Sequence, residues 1–314
     1  MKFKYIIYSM IISCFIYMSL FIFVVHKPLT EGIKQGYFQK KISYLMSINS
    51  KKIIVLAGSN GRFSHRCETI EVETGIPCVN MSIEAGFSLY YQFEKIKPYL
   101  KTGDLVYLPL EYNKFAESRI DALTGSEIPF IVAYEHDYLL KLNMEKQIYS
   151  MFYFDLKYLI SCLGEMILNK IGVKRRFTLD TMTVNGDEST HNQEKAKSYK
   201  TYIDNLKWTA PPVETFDEKS FGALILTDFM KWATANDVTI VGGLPTTFND
   251  SPIPDKLTNN LYQFYKKNGH YFLVMQNKSQ YPRDYFFDTK YHLAEEYQII
   301  HSKMIANFLF EFFK

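Results

Sequence analysis

Short apolar runs alternate with amphipathic ones in two stretches of this chain. Residues 52–57, KIIVLA, form a β-branched run that reads as a buried strand. CETIEVETG (67–75) reads as part of a helix ending at Gly75, and PCVNMSI (77–83) as a second strand. SLYYQFEKIKPYL (88–100) is helical by its spacing, and DLVYLPL (104–110) is a third strand. The alternation returns near residue 217. SFGALILTDFMKWATAND (220–237) predicts an amphipathic helix, and VTIVGGLP (238–245) a fourth strand. DKLTNNLYQFYKKNG (255–269) predicts a helix with Gly269 just past its end, where a C′ glycine belongs. YFLVM (271–275) is a fifth strand, and AEEYQIIHSKMIANFLFEFF (294–313) the last helix. Buried strands joined by helical crossovers predict an α/β fold: an open, doubly wound, five-stranded parallel sheet with helices on both faces.

Residues 116–216 break that alternation and read as a long, mainly helical insertion. Residues 129–172 predict two or more helices, of which QIYSMFYFDLKYLISCLGEMIL (147–168) is strongly apolar. Asp155, Lys157 and Glu165 argue against a second membrane span there. The simpler expectation is that this apolar face packs on the main domain; the alternative is docking on a membrane or a partner. VNGDESTHNQEKAKSYK (184–200) reads as a polar loop, and its NGDEST lacks the further ligands of a calcium loop. Lys174, Arg175 and Arg176 read as a solvated face, with contact to an anionic substrate or lipid headgroup as the alternative.

The N-terminus carries a different pattern. Residues 5–25 contain no charge, and as a helix they reach roughly 30 Å, the hydrocarbon thickness of a bilayer. Lys2 and Lys4 precede the run, which favours a cytoplasmic N-terminus. The run is longer than a signal-peptide core and no small-x-small cleavage site follows, so a retained signal anchor is preferred to a cleaved signal. The expected organisation is an anchor over 1–27, a polar stalk over 28–50 and an α/β domain over 51–314. The globular part then lies outside the cytoplasmic membrane.

Composition narrows the classes. Of 314 residues 47% are hydrophobic, enough for a sizeable core, and the net charge of +3 argues against nucleic acid as a partner. Of the four cysteines, Cys14 lies in the anchor and Cys162 in an apolar helical run. Cys67 and Cys78 flank a helix-to-strand connection; two buried thiols are the preferred reading, and a bridge in an oxidising compartment the alternative. No Cys/His spacing suggests a metal, and no cofactor is expected. His65 and His136 have no partner pattern and read as surface residues.

Ligand sites in such sheets form beyond the carboxyl ends of the strands. Ser59 follows the first strand, Gly86 the second, Glu111 the third, and Asp288-x-x-x-His292 the fifth. A serine hydroxyl becomes a good nucleophile when a histidine takes its proton, and an aspartate on the other ring nitrogen fixes the tautomer. Glycines at 58 and 86 allow a substrate close to the backbone. The bland alternatives are a turn at Gly58-Ser59-Asn60 and a helix cap at Asp288 or Thr289.

AGSN after the first strand, VNMSIEAG after the second and FFDTKYHLAEEY before the last helix resemble the SGNH/GDSL hydrolase superfamily. The resemblance is to its membrane-anchored extracytoplasmic branch, which serves polysaccharide O-acetylation and lipoteichoic acid D-alanylation. It covers roughly residues 50–115 and 217–312. It implies a three-layer α/β/α, flavodoxin-like fold with Ser59 as nucleophile, His292 as general base then acid, and Asp288 as its orienter. Ser59 N–H and Gly86 N–H would form the oxyanion hole. The family's serine block is Gly-Asp-Ser; aligning its first glycine with Gly58 would put Asn60 at the nucleophile position. Where the family supplies an oxyanion-hole asparagine, this chain offers Glu111, with Asn113 two residues on. Either Asn113 serves, or Glu111 has another role, or the site is not hydrolytic. The expected function is an acyl esterase or O-acyltransferase on a surface or exported polysaccharide. The alternative is a non-catalytic accessory protein that binds glycan or an integral-membrane acyltransferase.

Overall fold

The computed structural model describes residues 2–173 and 178–314, so the Lys174-Arg175-Arg176 cluster lies outside the described residues. Along the chain, α1 (Lys2–Leu20) runs into a π-helical turn, Phe21–Val25, and then α2 (Leu29–Ser47). Next come β1 (Ile53–Val55), α3 (Ser59–Ser64), α4 (Cys67–Thr74), β2 (Cys78–Asn80), α5 (Leu89–Ile96) and β3 (Leu105–Leu108). The insertion holds α6 (Ile128–Tyr134), α7 (His136–Lys141), α8 (Met144–Phe152) and α9 (Leu156–Lys170). The alternation resumes with α10 (Phe221–Ala235), β4 (Thr239–Gly243) and β5 (Thr247–Phe248). α11 (Asp255–Lys267), β6 (Tyr271–Leu273), β7 (Gln280–Tyr281) and α12 (Glu295–Phe310) complete it.

Two compact units emerge: Met1–Gly36 with Leu123–Thr178, and Tyr37–Ala122 with Leu179–Lys314. Residues 179–216, read with the insertion, belong to the sheet-bearing unit. So does the second half of the segment read as a polar stalk. There Leu45 on α2 and Ile48, just past its end, are buried in the core. α2 also buries Lys41, whose ammonium donates to the carbonyls of Asn80, Ser82 and Gly186, each at 2.7 Å. That arrangement uses all three N–H donors of a lysine.

The sheet has the order β2-β1-β3-β4-β6, with every neighbouring pair parallel. Period-two alternation divides its side chains between two cores. Ile54, Leu56, Val106, Leu108 and Ile240 face α5, α10 and α11. Ile53, Val55, Leu105, Tyr107 and Val241 face α4 and α12. Helices thus cover both faces, as the sequence pattern predicts. The pairing of β5 with β7, two residues each, carries no periodic signal and is new. Gly75 ends α4 at φ +72°, and Gly269 follows α11 at φ +79°.

Cys67, at the start of α4, is bonded to Cys78 on β2, with Cα atoms 4.9 Å apart and within ordinary disulfide range. This corrects the preference for two thiols. His65 is also corrected: it is fully buried, while His136 is exposed as expected. His65 Nε2 lies 3.1 Å from His301 Nε2, and His301 Nδ1 lies 2.8 Å from the Tyr281 hydroxyl. Burial pushes His65 down to about 3 and lowers His301 well below the usual histidine value. Burial likewise takes His191 down to about 4. In the unfolded chain these groups titrate near 6.5. Between those limits the unfolded chain binds protons that the folded one excludes, so stability falls as pH falls. The urea midpoint is expected to drop steeply from pH 6.5 towards 4, with the unfolding free energy falling by about a few kcal/mol in all. A flat midpoint across that window would refute the neutral buried histidines.

In the other unit, Phe3–Val25 has a mean hydropathy of 2.2, with none of its most apolar window buried. One helix there is long and apolar enough to cross a membrane. On the insertion, Met151, Phe152, Leu156, Ile160 and Ile167 are exposed, although Cys162 is buried.

Candidate functional site

The strand order reverses between β1 and β3, which makes this edge the topological switch point of the sheet. The turn after β1 is held from three sides. Glu111, following β3 and buried, accepts the Gly58 N–H at 3.1 Å and the Asn60 N–H at 3.0 Å, one on each carboxylate oxygen. Asn60 donates to the Pro109 carbonyl at 2.8 Å and accepts the Thr246 N–H at 3.1 Å. Ser82, after β2, accepts the Ala57 N–H at 2.9 Å. Asn60 is therefore a buried structural residue, spent on neighbouring strand ends.

A glycine is required at 58 by close approach. A Cβ there would fall 2.4 Å from Ala85 Cα and 2.5 Å from Glu111 Oε1. The loop after β2 thus crosses directly over the turn at Ala85, the residue before Gly86. The N–H groups of Ser59 and Gly86 donate to no protein acceptor among the described residues. Glu111 instead fills the Gly58 and Asn60 donors, which gives it a definite role as the clamp of the turn. Asn113 lies exposed on the one-turn helix Tyr112–Phe115 and makes no hydrogen bond to the turn. Replacing Glu111 with Ala leaves two buried N–H groups unsatisfied, an expected loss of about 3 kcal/mol in urea unfolding.

Asp288 and His292 sit at the base of a closed loop. Phe287 N–H donates to the His292 carbonyl at 2.8 Å, and Phe286 bridges Leu293 in antiparallel fashion. That closure brings Asp288 Oδ1 to 2.7 Å from His292 Nδ1. The residue capping α12 is Ala294, so neither Asp288 nor Thr289 serves as its N-cap. The loop is pinned to α3. Ser64 Oγ donates to the Tyr291 carbonyl at 2.7 Å and accepts the Leu293 N–H at 3.1 Å. Phe63 stacks on the His292 ring, with centroids 4.3 Å apart and planes at 18°. Ser59 lies one turn before Phe63 on the same helix, hence on the same face. Ser59 is partly exposed, and its hydroxyl makes no hydrogen bond to His292. Among the described residues His292 Nε2 likewise carries no hydrogen bond.

Residues 179–205 supply a wall that the sequence reading missed. His191 donates through Nε2 to the Phe63 carbonyl at 3.3 Å and meets Phe63 and Phe287 edge-on. Glu188 pairs with Arg62 on α3. Asp187 accepts the Cys67 and Glu68 N–H groups at 2.8 and 3.0 Å, capping α4 where a carboxylate also meets the positive helix end. The composition of 184–200 predicts a polar loop; Asp187, Glu188 and His191 are instead buried. The polarity of the stretch concealed this, because its charges are matched by residues distant in sequence. Tyr291 also went unnoticed: burial, then the Glu111 charge, pushes its hydroxyl up, which places it near the clamp.

In comparison with known proteins, no family model matches this chain. No curated protein matches it.

Proposed function

We propose that this protein is a membrane-anchored, extracytoplasmic, SGNH-like acyl esterase or O-acyltransferase of a cell-surface or exported polysaccharide. The observation that carries the reading is the Asp288–His292 pair at 2.7 Å, beyond the fifth parallel strand, on a loop pinned to the helix that begins with Ser59. The strand order, 2-1-3-4-5 when the strands of the five-stranded sheet are counted alone, is that of flavodoxin-like sheets and supports the fold expected of the superfamily. The Cys67–Cys78 bridge suits an oxidising compartment, and Lys2 and Lys4 suit a cytoplasmic N-terminus.

In this reading Asp288 accepts the Nδ1 proton, which leaves Nε2 free to act as base. Ser59 Oγ adds to the acyl carbonyl as its proton passes to Nε2. The oxyanion meets the Ser59 and Gly86 N–H groups. Collapse of the tetrahedral intermediate breaks the ester bond, and the departing alcohol takes the proton from Nε2. A water or a sugar hydroxyl then attacks the acyl-serine by the same steps in reverse.

A second reading has its own observation. Ser59 is not hydrogen-bonded to His292, as in a scaffold that binds glycan or an integral-membrane acyltransferase without chemistry. The ester content of the surface polysaccharide separates the two. Cells carrying the Ser59→Ala chain at normal abundance are expected to match cells lacking the protein. Ester content equal to that with the unaltered chain would favour the accessory role.

A further inference from the structure

The insertion helices carry an apolar face that the proposed chemistry does not use. Their position is fixed within one compact unit by contacts to the apolar N-terminal helix. Phe154 meets Phe21 edge-on, with ring centroids 5.4 Å apart. Thr30 donates its hydroxyl to Glu165 on α9 at 2.5 Å. Asp155 caps α9 by accepting the Tyr158 N–H at 2.8 Å. The two acidic groups that argue against a second membrane span are thus each hydrogen-bonded, and α9 sits beside the final turn of the span.

On α8 and α9, Met151, Phe152, Leu156, Ile160 and Ile167 are all exposed, Phe152 at 78%. Contiguous apolar surface of this kind is uncommon on a protein facing water alone. Beside it runs an aromatic groove of about 470 Å³, lined in part by Tyr149, Phe152, Tyr153 and Tyr158. Phenol-bearing rings suit the boundary between headgroups and tails. Lys157 and Lys170 have stems long enough to carry their charges out to water. At 15 residues α9 reaches about 22 Å, too short to cross a bilayer but suited to lying in one face of it.

We propose that α8 and α9 lie in the interfacial layer of the bilayer beside the emerging end of the span. Their apolar face rests among phospholipid tails, a second membrane attachment. This rests on the reading that Phe3–Val25 spans the membrane.

The test uses the full chain in phosphatidylcholine vesicles containing a diazirine-bearing phosphatidylcholine, with crosslinked peptides mapped by mass spectrometry. Lipid label is expected on the span and on residues 144–171. A Phe152→Lys, Ile160→Lys variant is expected to keep the first and lose the second. Both positions are exposed, and the unaltered chain's map decides the matter even if that variant misfolds. A labelled span with residues 144–171 unlabelled would overturn the second attachment and leave the span intact. In a parallel sample treated with a bifunctional photoreactive crosslinker, links from 144–171 to another polypeptide, a second copy included, would overturn it by naming a protein occupant. An unlabelled span would overturn the membrane reading itself.

Discussion

Ser59→Ala is expected to fold as the unaltered chain does and to lose ester turnover by about 10⁶-fold at the chemical step, the loss seen when an activated serine is removed. Two features make the contrast clean. Ser59 is partly exposed and its hydroxyl makes no hydrogen bond among the described residues, so truncation removes no stabilising contact seen there. The turn that presents it is held by Glu111, Asn60 and Ser82, none of which the substitution touches. The urea midpoint should therefore be unchanged while turnover of a small acetyl ester disappears. Turnover within tenfold of the unaltered protein would remove Ser59 from the chemistry.

Asp288→Asn is the second large effect, an expected fall of about 10⁴-fold in kcat. In the proposed triad the carboxylate, 2.7 Å from Nδ1, accepts the ring proton there, the tautomer that presents Nε2 as the acceptor. A carboxamide can offer its own N–H to Nδ1, which stabilises the opposite tautomer with the proton on Nε2. The ring itself should hardly move, because Phe63 stacks on it and the loop is tied to Ser64. The loss should therefore fall on kcat, with KM close to that of the unaltered protein. A fall in stability with kcat preserved would make Asp288 a loop-closing residue and nothing more.

Much of the architecture is legible because burial on both faces writes itself into sequence. IIV at 53–55 and LVYL at 105–108 are continuous apolar runs, and only a two-sided core makes such runs stable. Asp288 and His292 were legible for a related reason: strands of this topology deliver their ends to one edge. Glu111 was found by its place after β3, but its role was not. No pattern announces that a carboxylate will accept two N–H groups from a turn some fifty residues earlier. The segment 184–200 failed for the opposite reason. Gly, Asn, Asp and Glu read as solvated, while Asp187 satisfies a helix start and Glu188 pairs with Arg62 inside the fold. His65 was misread likewise, since its partners His301 and Tyr281 lie far along the chain. Long-range pairing of polar groups leaves no periodicity to read.

The central claim is that Ser59 is a nucleophile activated by His292. Incubation of the full-length protein with a fluorophosphonate, followed by peptide mass spectrometry, tests it most directly. One phosphonate adduct is expected on Ser59, formed rapidly by the unaltered chain and lost in His292→Ala. An unmodified Ser59, or an adduct that forms equally fast without His292, would contradict it.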